Sequence, residues 1–136
     1  MKKALTLSCA ALLIGTAALA AGNAQLMTTI PASSLTVTDW YKQSVYNSSN
    51  TKIGEVMDVL IGPGGQVSTV IVGVGGFLGA GEKDVAVSFN SIQKITKDNK
   101  VYLTMDTTKD ALKSAPGFKY DSDKTTWVAE TSNTKS

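Results

Sequence analysis

The stretch that most constrains this chain is Val67–Val74, where five of eight residues are valine or isoleucine and glycine-rich breaks lie on either side. Gly62-Pro63-Gly64-Gly65 precedes it, and five glycines fall between Gly73 and Gly81. β-Branched side chains fit a pleated strand, and a run this short between breakers leaves little room for a helix. Val70, Val72 and Val74 fall on one face and Val67, Thr69 and Ile71 on the other, so both faces are apolar and the spacing predicts a central, covered strand.

The neighbouring segments repeat the theme. Lys52–Ile61 alternates imperfectly, as a bulged or strongly curved strand does. Val45-Tyr46 precedes Asn47-Ser48-Ser49-Asn50, a dense turn signal that predicts a hairpin into it. Lys83–Phe89 places Val85, Val87 and Phe89 on one face, and Ile92–Thr96 with Val101–Met105 forms a second hairpin across Asp98-Asn99-Lys100. Thr107-Thr108-Lys109-Asp110 resembles a capping box with Asp in place of Glu, opening a short helix that Pro116-Gly117 stops. Short strands, glycine-rich turns and one late helix predict an all-β fold, a small β-barrel, because closure is how few strands avoid exposed edges.

The first 24 residues read as an address. Lys2 and Lys3 precede an apolar run from Ala4 to Ala20, and small residues suit cleavage after Ala20 or after Ala24. The run is short of a bilayer span, and no apolar core lies ahead of Cys9 to suit a lipoprotein. The expected layout is a signal peptide over 1–24, a flexible leader over 25–40, the barrel over 41–118 and a C-terminal tail over 119–136. An exported, periplasmic protein follows from that reading.

Charge narrows the function. The sequence has 136 residues, 13 lysines, no arginine, no histidine and 11 acidic residues. Cleavage removes Lys2, Lys3 and the sole cysteine, leaving a net charge of zero and no thiol. Nucleic acid is then not an expected partner, because the phosphate backbone has nothing to attract it. Nor is a disulfide expected.

Catalytic and metal patterns fail on inspection. Gly73 and Gly75 are followed by Leu78 where a dinucleotide fingerprint needs glycine. Gly76 and Gly81 have phosphate-loop spacing, but Glu82 intervenes before Lys83 and Asp84 stands where a hydroxyl should hold magnesium. Ser91-Ile92-Gln93-Lys94 matches a serine–lysine nucleophile pattern without its companions. Asp121 and Asp123 hint at a calcium loop, yet Thr125 occupies the next ligand position and no glycine or glutamate follows in place. Glu55 and Asp58 read as surface charges beside the second strand. The expectation is therefore no enzyme, no cofactor and no metal.

Two features suggest contact. Gly75-Gly76-Phe77-Leu78-Gly79 sets two large apolar residues in a glycine loop, either as an exposed docking tip or folded back to cap the barrel. Trp40, Tyr41 and Tyr46 either line a secondary aromatic surface or plug a barrel end.

Val45-Tyr46, Ile53-Gly54-Glu55-Val56, Gly65-Gln66-Val67, Val72–Gly79 and Lys83-Asp84-Val85-Ala86-Val87 together resemble the PRC-barrel family over about residues 41 to 118. Thr108-Lys109-Asp110-Ala111-Leu112 and Ala115-Pro116 are similar to its exported bacterial members. The chain departs from the pattern at Ser88, where the family often has proline, and at Gly62-Pro63-Gly64, where it often has an Asp-rich turn. The resemblance implies a small SH3-like barrel, found in the photosynthetic reaction-centre H subunit and in a ribosome maturation factor. It serves protein contact in both, with no shared catalytic residues. The expected function is thus a non-enzymatic periplasmic adapter that docks an envelope protein or membrane complex, with membrane-surface contact and self-association left open. The alternative is a small-ligand carrier or sensor using the barrel mouth.

Overall fold

The computed structural model describes residues 24–75 and 82–131. The chain divides into two units, Met1–Ser33 and Ser34–Ser136. Of the first, residues 24–33 contain no helix or strand.

The second unit is built on one sheet. In chain order its strands are β1 (Ser44–Tyr46), β2 (Lys52–Ile61), β3 (Val67–Val74), β4 (Lys83–Ser88), β5 (Ile92–Lys97), β6 (Lys100–Met105), β7 (Phe118–Asp121) and β8 (Thr126–Ala129), with helix α1 (Lys109–Ser114) between β6 and β7. The spatial order is β5-β6-β1-β2-β3-β4-β7-β8. All neighbours are antiparallel except β1 and β6. That parallel pair, Val45 opposite Leu103 and Tyr46 opposite Thr104, brings a late strand back to the first one and curls the sheet around a common interior.

β3 holds the centre, as its composition predicts. Val70, Val72 and Val74 are buried on one face with Val45, Ile53, Val56, Val85 and Leu103, while Ile71 is buried on the other. Burying each such aliphatic side chain contributes about 1.5–3 kcal/mol, so this cluster is the main source of stability. Among the described residues no polar or charged residue is buried, which leaves the interior an apolar core.

Two irregularities shape the sheet. The β2–β3 register slips between Val56 and Asp58 and again between Leu60 and Ile61, as the broken alternation of Lys52–Ile61 predicts. At Asp58 the side chain closes on the chain itself, Oδ1 accepting the Val59 amide at 2.8 Å. Gly54 allows the other distortion: a Cβ there would lie 2.6 Å from Val72 Cγ1 and 2.9 Å from the Gly73 carbonyl oxygen. Only glycine lets β2 approach β3 so closely.

Several boundaries differ from the sequence reading. The folded unit begins before Trp40: Thr36 caps a 3-10 turn over Val37–Asp39, and Trp40, only 3% exposed, stacks on Phe89 at 4.5 Å. A leader running to residue 40 therefore ends too late, because a large indole was available to seal the barrel end. The helix cap is Thr108, whose hydroxyl accepts the Ala111 amide at 3.1 Å, one residue on from the box read at Thr107. Of the segment assigned to a tail over 119–136, the part up to Ala129 belongs to the β7–β8 hairpin. Asp121 Oδ1 accepts the amides of Asp123 and Lys124, which tightens the turn.

Candidate functional site

The expected docking loop follows β3, the most deeply buried strand, and leads into β4. β3 and β4 remain paired to their ends, with Val74 opposite Lys83 and Gly73 opposite Asp84. Gly75 is described, while Gly76, Phe77, Leu78 and Gly79 lie outside the described residues.

The loop's base carries a concentration of negative charge. Asp84 Oδ1 is closed off from solvent and accepts no hydrogen bond. Burial pushes the Asp84 carboxyl above the ordinary value, and the nearby charges of Glu82 and Glu130 push it further in the same direction. A Cβ on Gly73 would lie 2.8 Å from Glu82 Oε1 and 3.2 Å from Asp84 Oδ1, so the glycine is what leaves the two carboxylates their space. Lys83, the only base in that sequence triplet, turns away and donates to the Lys113 carbonyl at the end of α1 at 2.8 Å. Among the described residues no group of three or more carboxylates, histidines or cysteines is arranged to hold a metal ion.

The three aromatic candidates do not act as one surface. Trp40 is withdrawn into the core, with its indole nitrogen buried without a partner, so of its two readings the packed one holds and the surface one does not. Tyr41 is exposed, with Lys42 Nζ 5.5 Å from its ring centre. Tyr46 is half-buried, edge-on to Tyr102 at 6.2 Å.

The serine–lysine pattern is also resolved by geometry. Lys94 Nζ lies 2.7 Å from Asp39 Oδ2, joining β5 to the entry turn, and this bond with that from Thr36 holds the Asp39 carboxyl below its usual range. The lysine's partner is thus a carboxylate on another element.

A groove that sequence reasoning missed lies on the outside of the sheet. It has a volume of about 480 Å³ and runs between β2–β3 and the β7–β8 hairpin, with Asp58, Leu60, Ser68, Tyr120, Thr126 and Trp127 among its walls. Trp127 Nε1 donates to Asp58 Oδ2 at 2.8 Å across 69 residues of sequence. Tyr120 and Trp127 meet edge to face, with centroids 5.9 Å apart and planes at 69°. Ile71 is buried on this same outer side and pairs with Asp58, which the hairpin's indole bonds. Only the aromatic content of the tail pointed to this groove.

Comparison with protein families matches residues 33–112 to the PRC-barrel domain, more than half of the chain. The protein belongs to that family, as the resemblance of its glycine and valine segments implies. No curated protein matches the chain. The matched region ends within α1, so β7, β8 and hence one wall of the outer groove lie beyond it.

Proposed function

We propose that the protein is a non-enzymatic interaction module of the bacterial envelope, exported to the periplasm, where it docks a protein or membrane complex through the Gly75–Gly79 loop and the adjoining barrel surface. The observation that carries this reading is the packed interior: Ile53, Leu103 and six valines are all less than 2% exposed, so recognition falls to the outside of the domain. The same packing weighs against the alternative of a ligand held in the barrel mouth, which needs a cavity with convergent polar groups. Support for the loop comes from its rigid base, because the β3–β4 ladder runs in register to Val74 and Lys83.

The test is crosslinking in cells from a photoreactive residue at position 77, with the protein expressed at native level. A reproducible protein adduct that disappears in a Phe77→Ala/Leu78→Ala variant is the expected result. Adducts with lipid alone replace the protein partner by a membrane surface. Absence of any adduct from an exported, folded protein, or recovery of the same partner with the double variant, overturns docking through this loop. Fractionation of the periplasm checks the export reading separately.

A further inference from the structure

The groove between β2–β3 and the β7–β8 hairpin presents an unusual set of charges. Asp58 stands on its wall, half-buried, with Oδ1 accepting the Val59 amide and Oδ2 accepting the Trp127 indole. Those donors are neutral, and among the described residues no lysine forms an ion pair with Asp58. Among the described residues no basic side chain lines the groove. A negative charge is thus held beside two aromatic rings set nearly at right angles, with the hydroxyls of Thr69 and Thr125 on the surrounding wall.

Ligand classes can be separated on that chemistry. A phosphate or carboxylate would meet Asp58 with no base to offset it. A purely apolar ligand would strip water from the carboxylate and offer nothing in return. A cation on an apolar stem answers both demands: the π faces of Tyr and Trp attract it, a carboxylate lies close, and the stem covers the apolar wall of Leu60. We propose that this groove binds an alkylammonium group, of the kind carried by a lysine side chain or a choline headgroup. The inference does not rest on docking through the Gly75–Gly79 loop, which lies on another part of the chain.

The test uses the full folded domain and follows the indole N–H signal of Trp127 by NMR, assigned by its loss in Trp127→Phe. Three probes are titrated: choline, N-acetyl-lysine methylamide and 3,3-dimethylbutan-1-ol, which has the shape of choline without its charge. Saturable shifts with either cation and none with the neutral alcohol are expected. Asp58→Asn removes the charge and keeps an acceptor for only one of the two N–H groups that Asp58 serves; with the sheet's amide signals still dispersed, it should weaken cation binding roughly tenfold. Tyr120 is exposed, so Tyr120→Leu leaves the fold intact and should weaken choline at least severalfold by removing a π face. Tighter binding of choline assigns a quaternary headgroup as the source, and tighter binding of the lysine derivative assigns a protein or peptide side chain. Equal response to the neutral alcohol, unchanged cation binding in both variants, or no saturable response to any probe overturns the proposal.

Discussion

The barrel and the hairpin appended to it are held in opposite ways. β3 is joined to β4 by six successive residue pairs, Thr69–Val74 against Ser88–Lys83, whereas β7 meets β4 at the single pair Asp84–Phe118. Beneath the barrel strands lies a continuous aliphatic cluster, while the hairpin is pinned to β2 by one polar contact, Trp127 to Asp58. The difference separates scaffold from accessory: the portion that matches the PRC-barrel supplies the stability, and the portion beyond it supplies the aromatic wall of the outer groove. An element with few buried contacts opens at low free-energy cost, so the two regions should respond differently to substitution.

The largest effect is expected in the barrel. Leu103, fully buried on β6 opposite Val45, should cost about 2–5 kcal/mol when replaced by alanine, through lost burial and the cavity left behind. Chemical denaturation followed by the fluorescence of buried Trp40 measures it. A lowered midpoint shared by every probe shows one cooperative barrel, and a loss below 1 kcal/mol would remove the claim that this cluster carries the fold. Gly54→Ala acts by the opposite mechanism. The new methyl meets both a side chain and the rigid Gly73 backbone, and the resulting overpacking should cost about 1–3 kcal/mol. If Gly54→Ala is neutral in the same assay, the close approach of β2 to β3 is not a constraint.

A smaller and local effect is expected at the other end of the comparison. Trp127→Phe keeps an aromatic ring but removes the donor to Asp58, a loss of about 1 kcal/mol that should fall on the hairpin alone. Hydrogen exchange distinguishes the regions: amides of Lys119 and Val128 should exchange faster, while those of Val70 and Val72 keep their protection. Equal acceleration in both sets would show that hairpin and barrel open as one unit.

This division also explains what was legible beforehand. The strands from Lys52 to Met105 could be read because each carries its own local signature, β-branched runs bounded by turn residues. Even the β2 bulge showed, as a break in alternation. By contrast, the fate of Trp40 depended on whether Phe89, far along the chain, would stack on it, and nothing local distinguishes a buried indole from an exposed one. The hairpin was hidden for a related reason. Phe118 to Ala129 is polar enough to pass for a tail, and its anchor is a single bond between residues 69 apart. Asp58 looked like one more surface charge because its role is defined by that distant partner.

The smallest effect sharpens the comparison at the point where barrel and hairpin join. Asp84 lies on β4 opposite Phe118 and has its carboxyl raised above the ordinary value, first by burial and then by Glu82 and Glu130. A carboxyl that holds its proton more tightly when folded than when unfolded contributes stability below the ordinary carboxylate range. That contribution is lost as pH rises through the folded value. Asp84→Asn removes the charge while preserving the shape, so it should match or slightly exceed the wild-type protein at neutral pH and lose that advantage in acid. Thermal melts across that range measure the effect, and hydrogen exchange at Lys119 shows whether it reaches β7. A variant less stable at neutral pH would mean that a favourable partner of the Asp84 charge outweighs its burial and the repulsion from Glu82 and Glu130. An advantage confined to the β7–β8 amides would make this carboxyl a local control on the hairpin's attachment, adjustable by pH without loosening the core beneath it.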